Sequence, residues 1–171
     1  MTTASDRALR AEPTALKDER LTAVGLIFEV AQALETGLSG QLAEHGLSGV
    51  EAGVALRLAR SPERSLRMSD LALQCDLSAS GLTRVVDRLE RAGLVSREAC
   101  ATDRRVTYAA LTDEGLDRVL EFLPGHLQGI DDLLVARLDR AQLDALLDAL
   151  RVLRDAIRPG GGAGADGSAH A

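Results

Sequence analysis

Between Ser78 and Gly93 the sequence sets hydroxyls and guanidiniums at helical spacing: Ser80, Thr83, Arg84, Asp87, Arg88 and Arg91. At about 100° per residue, Leu82, Val85, Val86 and Leu89 share one narrow stripe. Ser80, Arg84, Asp87 and Arg91 fall opposite it, with Thr83 and Arg88 on its flanks. Ser78 is a favourable helix N-cap and Gly93 a favourable stop. One face can therefore pack on a core while the other offers polar groups outward. A helix that reads a nucleic-acid groove needs this division, because phosphates accept from Arg and hydroxyl donors and base edges take bidentate side chains. The same arginines taken alone would suit the solvated face of any helix, so the surrounding elements decide.

Ser69 to Leu77 reads as a shorter helix capped by Ser69, and two helices joined by a short turn make a helix-turn-helix. Leu94–Arg97 and Val106–Ala110 are strand-like, with the polar tip Thr102-Asp103-Arg104-Arg105 between them. A helix-turn-helix followed by a hairpin is a winged helix, and Arg at the tip suits a narrow, electronegative minor groove. In an extended tip Asp103 and Arg105 share a face and can pair; as an exposed turn ion pair alone, this would be worth roughly 0–1 kcal/mol.

The series Ser78-x-Ser80-x-x-Thr83-Arg84-x-x-Asp87-Arg88-Leu89-Glu90-x-x-Gly93-Leu94-Val95-x-Arg97, then Asp103-x-Arg105, then Leu111-Thr112-x-x-Gly115, resembles the MarR-type winged-helix transcriptional regulators. Gly81 stands where Ser or Thr is more usual. The resemblance implies a mainly α fold with a small β-hairpin wing, the N- and C-terminal helices forming a dimerisation region. It implies double-stranded DNA as partner, contacted by Ser78, Ser80, Thr83, Arg84 and Arg88, with Asp87 orienting an Arg. Arg105 becomes the minor-groove residue, Asp103 its holder and Arg104 a phosphate contact. A homodimeric repressor on a pseudo-palindromic operator is implied, with half-sites ~10 base pairs apart. A small aromatic or phenolic effector would bind where the first, second and fifth helices approach, His45 and Arg57 being candidate polar groups.

Several helices must position this head. Leu21, Val24, Phe28, Ala31, Leu34, Leu38 and Leu42 form one long apolar seam within a helix from Leu16 to His45, longer than a small reading head needs for cover. Ser48-x-x-Glu51 is a capping box opening a helix to about Arg60. A turn at Ser61–Arg64 follows, and Ser65–Arg67 is placed to add a third strand. Thr112 caps a helix that Pro124-Gly125 kinks or ends, and helix resumes from His126 to Leu138. Asp139-x-x-Gln142 caps a last helix, which Pro159 stops. The expected organisation is a disordered tail at 1–15, a winged-helix domain at 16–158 and a disordered Gly/Ala tail at 159–171. Within the domain, 48–111 would bind DNA, while 16–47 and 112–158 would dimerise.

A net charge of −6 argues at first against DNA, but its distribution does not. Arg57 to Arg105 holds ten Arg against seven acids, about +3, leaving about −9 for the rest. With a Debye length of roughly 8 Å, attraction to phosphate is local. Phe28, Tyr108 and Phe122 are the whole aromatic complement, too few for a base-stacking platform. No uninterrupted apolar stretch approaches ~20 residues, and the N-terminal region lacks a signal peptide's apolar core, so a cytoplasmic protein without membrane contact is expected. Two cysteines without pairing motifs suit a reducing compartment. Cys75 reads as core. Cys100, near Arg97, Arg104 and Arg105, is a candidate redox thiol, although sensing thiols of the family usually lie in the first helix, where this chain has none. His45, His126 and His170 form no ligand cluster by spacing, no catalytic or cofactor motif is present, and neither enzyme nor cofactor is expected. The alternatives are a dimeric winged-helix adaptor for protein partners and a redox- or metal-responsive regulator.

Overall fold

A computed structural model describes residues 15–100, 103 and 105–157. A 3₁₀ turn at Ala15–Lys17 precedes α1 (Glu19–Glu44) and α2 (Gly49–Ala59); after a turn at Pro62–Arg64 come β1 (Ser65–Arg67), α3 (Met68–Gln74), α4 (Ala79–Arg91), β2 (Val95–Ala99), β3 (Thr107–Leu111), α5 (Asp113–Leu133), a 3₁₀ turn (Val135–Arg137) and α6 (Arg140–Ile157). The expected tails up to residue 14 and beyond residue 157, Pro159, His170 and Arg104 lie outside the described residues. Contacts divide the chain between Gly37 and Leu38.

The unit from Leu38 onward holds the core. Ala52, Val54, Ala55 and Leu58 of α2, Leu71 of α3, Leu82, Val85, Val86 and Leu89 of α4, Val95, Ala109 and Leu111 of the sheet, and Val119 and Phe122 of α5 are all buried. Full burial of such side chains contributes about 1.5–3 kcal/mol each, so the α4 stripe alone anchors its helix firmly. The sheet is antiparallel in the order β1-β3-β2, with Arg67 opposite Tyr108 and Arg97 opposite Ala109, so Ser65–Arg67 is the third strand. Residues in the left-handed region terminate helices at Gly46 (φ 72°), Asp76 (φ 56°) and Gly93 (φ 76°). In each case the next amide donates back across the last turn: Leu47 to Leu42, Leu77 to Ala72 and Leu94 to Leu89.

In the unit up to Gly37, α1 exposes Leu21, Val24, Leu26, Ile27, Phe28 and Val30, about half or more of each being accessible. They spread around the helix rather than along one seam, and Leu42 is its single buried residue. Over 26 residues, α1 is long and apolar enough on mean hydropathy to cross a membrane. Counting uninterrupted apolar residues missed this, because Leu, Ile, Val, Phe and Ala keep the average high between polar and charged positions. Glu29 and Glu35 lie near its middle, where each would cost about 2.5–3.5 kcal/mol in lipid, so protein is the better cover. α6 likewise buries none of its residues and exposes Leu147, Leu150, Val152, Leu153 and Ile157.

Two expectations about boundaries are corrected. Ser69 does not cap α3: the β1–β3 register carries strand to Arg67, the helix starts at Met68, and Ser69 Oγ donates to Asp70 Oδ1 at 3.1 Å. Nor does Pro124 end its helix, which continues to Leu133. The proline removes one backbone hydrogen bond, but packing on both sides offsets it. Phe122 is fully buried and its carbonyl accepts from Gln41 Nε2 at 3.1 Å, while a Cβ on Gly129 would lie 2.9 Å from Leu38 Cδ2.

Candidate nucleic-acid interface

Ser78 caps α4 by accepting from the Gly81 amide at 3.0 Å, and its Oγ lies 3.3 Å from that of Ser80. Thr83 donates its hydroxyl to the Ala79 carbonyl at 2.8 Å, leaving its oxygen able to accept further. The three arginines of α4 differ in commitment. Arg91 Nε donates to the Asp87 carbonyl at 3.1 Å, and Arg88 Nε donates to Glu51 Oε1 at 2.6 Å. Arg84 is exposed and makes no hydrogen bond or ion pair among the described residues, so it meets a partner at little cost in broken contacts.

Glu51 ties the reading helix to α2. Its carboxylate accepts from Ser48 N at 2.9 Å and Ser48 Oγ at 2.6 Å, completing the capping box, while its other oxygen takes Arg88. Burial pushes the Glu51 carboxyl up, but the Ser48 and Arg88 donors outweigh it and hold the group below its ordinary value. Arg88 thus orients α4, whatever else it touches.

Arg97 does the same from β2. Its guanidinium donates to Asp87 Oδ1 at 2.5 Å, to Glu90 and to the Thr83 carbonyl at 3.3 Å, locking strand to helix. Asp87 orients an Arg, as expected; that this Arg would be the strand residue was not legible. At the wing, Arg105 Nε lies 3.2 Å from Asp103 Oδ1 and the Arg105 amide donates to the same oxygen at 3.0 Å. These bonds hold the Asp103 carboxyl below its ordinary value. Arg105 is 91% exposed, so its donors stand in solvent at the tip. Between α4 and the wing lies an open cleft of about 400 Å³, lined by Arg67, Ser69, Thr83, Arg97, Arg105 and Thr107. The sequence reading did not single out Arg67.

The sequence profile of the MarR family matches residues 45–106, which contain this head. Sco3205, a MarR family transcriptional regulator from Streptomyces coelicolor solved in complex with DNA, is 34% identical and superposes with a TM-score of 0.76 over 82% of this chain and 89% of that one. This chain belongs to the MarR family. The HTH-type transcriptional regulator MhqR of Bacillus subtilis is 31% identical over 60% of this chain and 70% of its own length. The HTH-type transcriptional repressor YetL of the same organism is 27% identical over 75% and 81%. These relatives are transcriptional regulators, Sco3205 one solved on DNA, and this MarR-family member carries a winged helix-turn-helix and is not an enzyme.

The subsidiary candidates in this MarR-family chain lie apart. His45 packs against Phe122, ring centroids 6.2 Å apart, and its carbonyl accepts from Arg118. The Arg57 guanidinium instead lies beside Cys75, whose thiol burial pushes up despite that charge. Cys75 is half-buried at the core's edge rather than within it, and Cys100 is half-buried within electrostatic reach of Arg67. Among the described residues no group of three His, Cys, Asp or Glu could hold a metal ion. His126 meets Phe122 edge-on at 6.1 Å, its Nδ1 is buried without a partner among the described residues, and burial pushes its pKa below the ordinary 6.5. The unfolded chain therefore takes up this proton first as pH falls below that value. The associated stability is complete above it and lost as pH drops toward the lower native pKa. Replacing His126 by Leu should flatten the fall in denaturation midpoint between about pH 7.5 and 5.5; equal slopes in variant and wild type would remove His126 as the cause.

Proposed function

We propose that the protein is a homodimeric, cytoplasmic repressor that binds a pseudo-palindromic operator and responds to a small aromatic or phenolic effector. The observation that carries the DNA part is Arg84: an exposed guanidinium without a partner among the described residues, on a helix whose opposite face is buried and whose other arginines are tied down. α4 enters a major groove with Ser78, Ser80, Thr83 and Arg84 toward bases and phosphates, and Arg88 at its margin. The Asp103–Arg105 tip meets the flanking minor groove, with Arg104 on phosphate. Two subunits related by a two-fold axis then require half-sites ~10 base pairs apart.

An operator selected from random duplexes supplies the test. Arg84→Ala should weaken binding by about 1–3 kcal/mol and relax discrimination at one position; unchanged affinity and sequence preference would overturn the assignment. For the effector, support comes from Gln41 Oε1 and His126 Nδ1, both buried without partners among the described residues and both belonging to side chains packed around the Phe122 turn. His45 is close to this group, whereas Arg57 faces Cys75. A panel of phenols and aromatic carboxylates that moves neither melting temperature nor operator affinity would dismiss it.

A further inference from the structure

The cleft between α4 and the wing contains three guanidiniums in different electrostatic states. Arg97 is bonded to Asp87 and Glu90, and Arg105 to Asp103. Arg67 forms no ion pair with any described carboxylate; Asp70 and Asp103 act on it through space alone. Its partner is neutral: Arg67 Nε donates to Tyr108 Oη at 3.0 Å, and its guanidinium carbon lies 5.9 Å from the Tyr108 ring centroid. The two residues are cross-strand partners in the β1–β3 ladder, so the pairing follows from register. The result is an exposed guanidinium held through one nitrogen and one ring. Its two terminal nitrogens make no bond among the described residues, and its full charge is uncompensated at contact range.

A fork fixed in this way suits a doubly oxygenated anion, because little side-chain entropy remains to be lost when the two terminal nitrogens bind. Thr107 lines the same cleft with a hydroxyl that has no described partner, whereas the Ser69 hydroxyl is engaged by Asp70. Met68 and Val106 are the apolar residues of the lining, so the chemistry favours an anion over an apolar ligand. If α4 lies in a major groove and the wing in the neighbouring minor groove, one sugar-phosphate strand must pass between them, over this cleft. We propose that Arg67, held by Tyr108 and assisted by Thr107, binds a backbone phosphate of that strand. The assignment rests on the reading of α4 and the wing as the DNA-contacting elements.

A phosphate contact weakens binding alike on every sequence and contributes about one counterion to the salt dependence. The test uses the full chain, the selected operator and a duplex of scrambled sequence, each titrated across a salt series. Arg67→Met should bind both duplexes about tenfold more weakly, with the slope of log K against log salt smaller by about 0.9 and melting temperature unchanged. Tyr108→Phe keeps charge and ring but releases the fork; a smaller loss of affinity with the wild-type slope is expected. Arg140→Met, which removes a charge from α6, should change nothing. A wild-type slope and affinity in Arg67→Met would overturn the proposal, as would an equal slope change in Arg140→Met, which would mean bulk charge alone. An inorganic phosphate titration of the DNA-free chain that raises the melting temperature of wild type but not of Arg67→Met, with the two salt slopes on DNA equal, would reassign the cleft to a free anion and overturn the DNA assignment. Arg84→Ala in the same series separates the two readings: if it falls on the operator while Arg67→Met does not, α4 still reads DNA and only the Arg67 site fails.

Discussion

Gly115→Ala is expected to destabilise the protein by about 3 kcal/mol or more, the upper end of what overpacking costs. A Cβ at this position would stand 2.1 Å from the Leu94 carbonyl oxygen and 2.8 Å from Leu111 Cδ1, far inside contact distance. Neither neighbour can yield cheaply. Leu94 O accepts from the Thr112 amide at 3.1 Å, Leu94 N donates to Leu89 O at 2.9 Å, and the Leu94 and Leu111 side chains are both buried. Thr112 closes the same corner, donating Oγ1 to the Gly93 carbonyl at 2.8 Å and accepting from the Gly115 amide at 2.9 Å. Relief would require the start of α5 to move off the junction of α4 and β2, which aims the reading helix. For a chain of this size the loss corresponds to a fall of roughly 6–12 °C in melting temperature. It should be measured at matched protein concentration, since an oligomer's midpoint depends on it. A variant melting within about 2 °C of wild type would mean the corner opens readily.

Features determined by short-range pattern were legible in the sequence. The α4 stripe, the Ser48–Glu51 capping box and the Asp139–Gln142 cap all depend on spacings of three and four, and each is present as read. Ser69 was misread because a cap preference of about 1 kcal/mol gives way to a strand register set by residues more than 40 positions away. Whether Pro124 kinks or ends its helix was not legible because its cost is local, while the packing of Phe122 and Gly129 that carries the helix on is not. The candidate site shows the same division. Ser78, Thr83 and Arg84 stand where helical phase puts them, and the Asp103–Arg105 pair forms over two residues. Arg67, bonded to Tyr108, and Arg88, bonded to Glu51, act through partners 41 and 37 residues distant. No periodicity reports such pairs.

These long-range pairs also sort the positive charge. The head's arginines outnumber its acids only slightly, yet affinity for phosphate depends on which guanidiniums remain uncompensated. Arg97 has two carboxylates, Arg88 and Arg105 have one each, and Arg84, Arg91 and Arg67 have none bonded among the described residues. The committed arginines fix the helix and wing at one spacing, and the uncommitted ones face a partner from that rigid frame. Aiming is thereby separated from binding, which keeps the entropy cost of contact low.

In the proposed homodimer, whether both heads can act together depends on α1. Replacing Val24 and Phe28 by Asp should convert the protein to monomers and weaken operator binding by about 10²–10⁴-fold, the avidity lost when two linked sites become independent. Within one subunit these side chains are 52% and 70% exposed, so the substitutions remove almost no internal packing and a single chain tolerates them. A paired interface would not. Four carboxylates would enter an apolar interface without partners, each carrying a desolvation penalty of several kcal/mol. The contrast between a tolerant subunit and an intolerant pair makes the result diagnostic. Sedimentation should show half the wild-type mass, and a single half-site should bind the variant as well as the full operator does. A double variant that sediments with the wild type and retains its operator affinity would leave the exposed apolar residues of α1 to some other partner and require the two heads to be joined elsewhere.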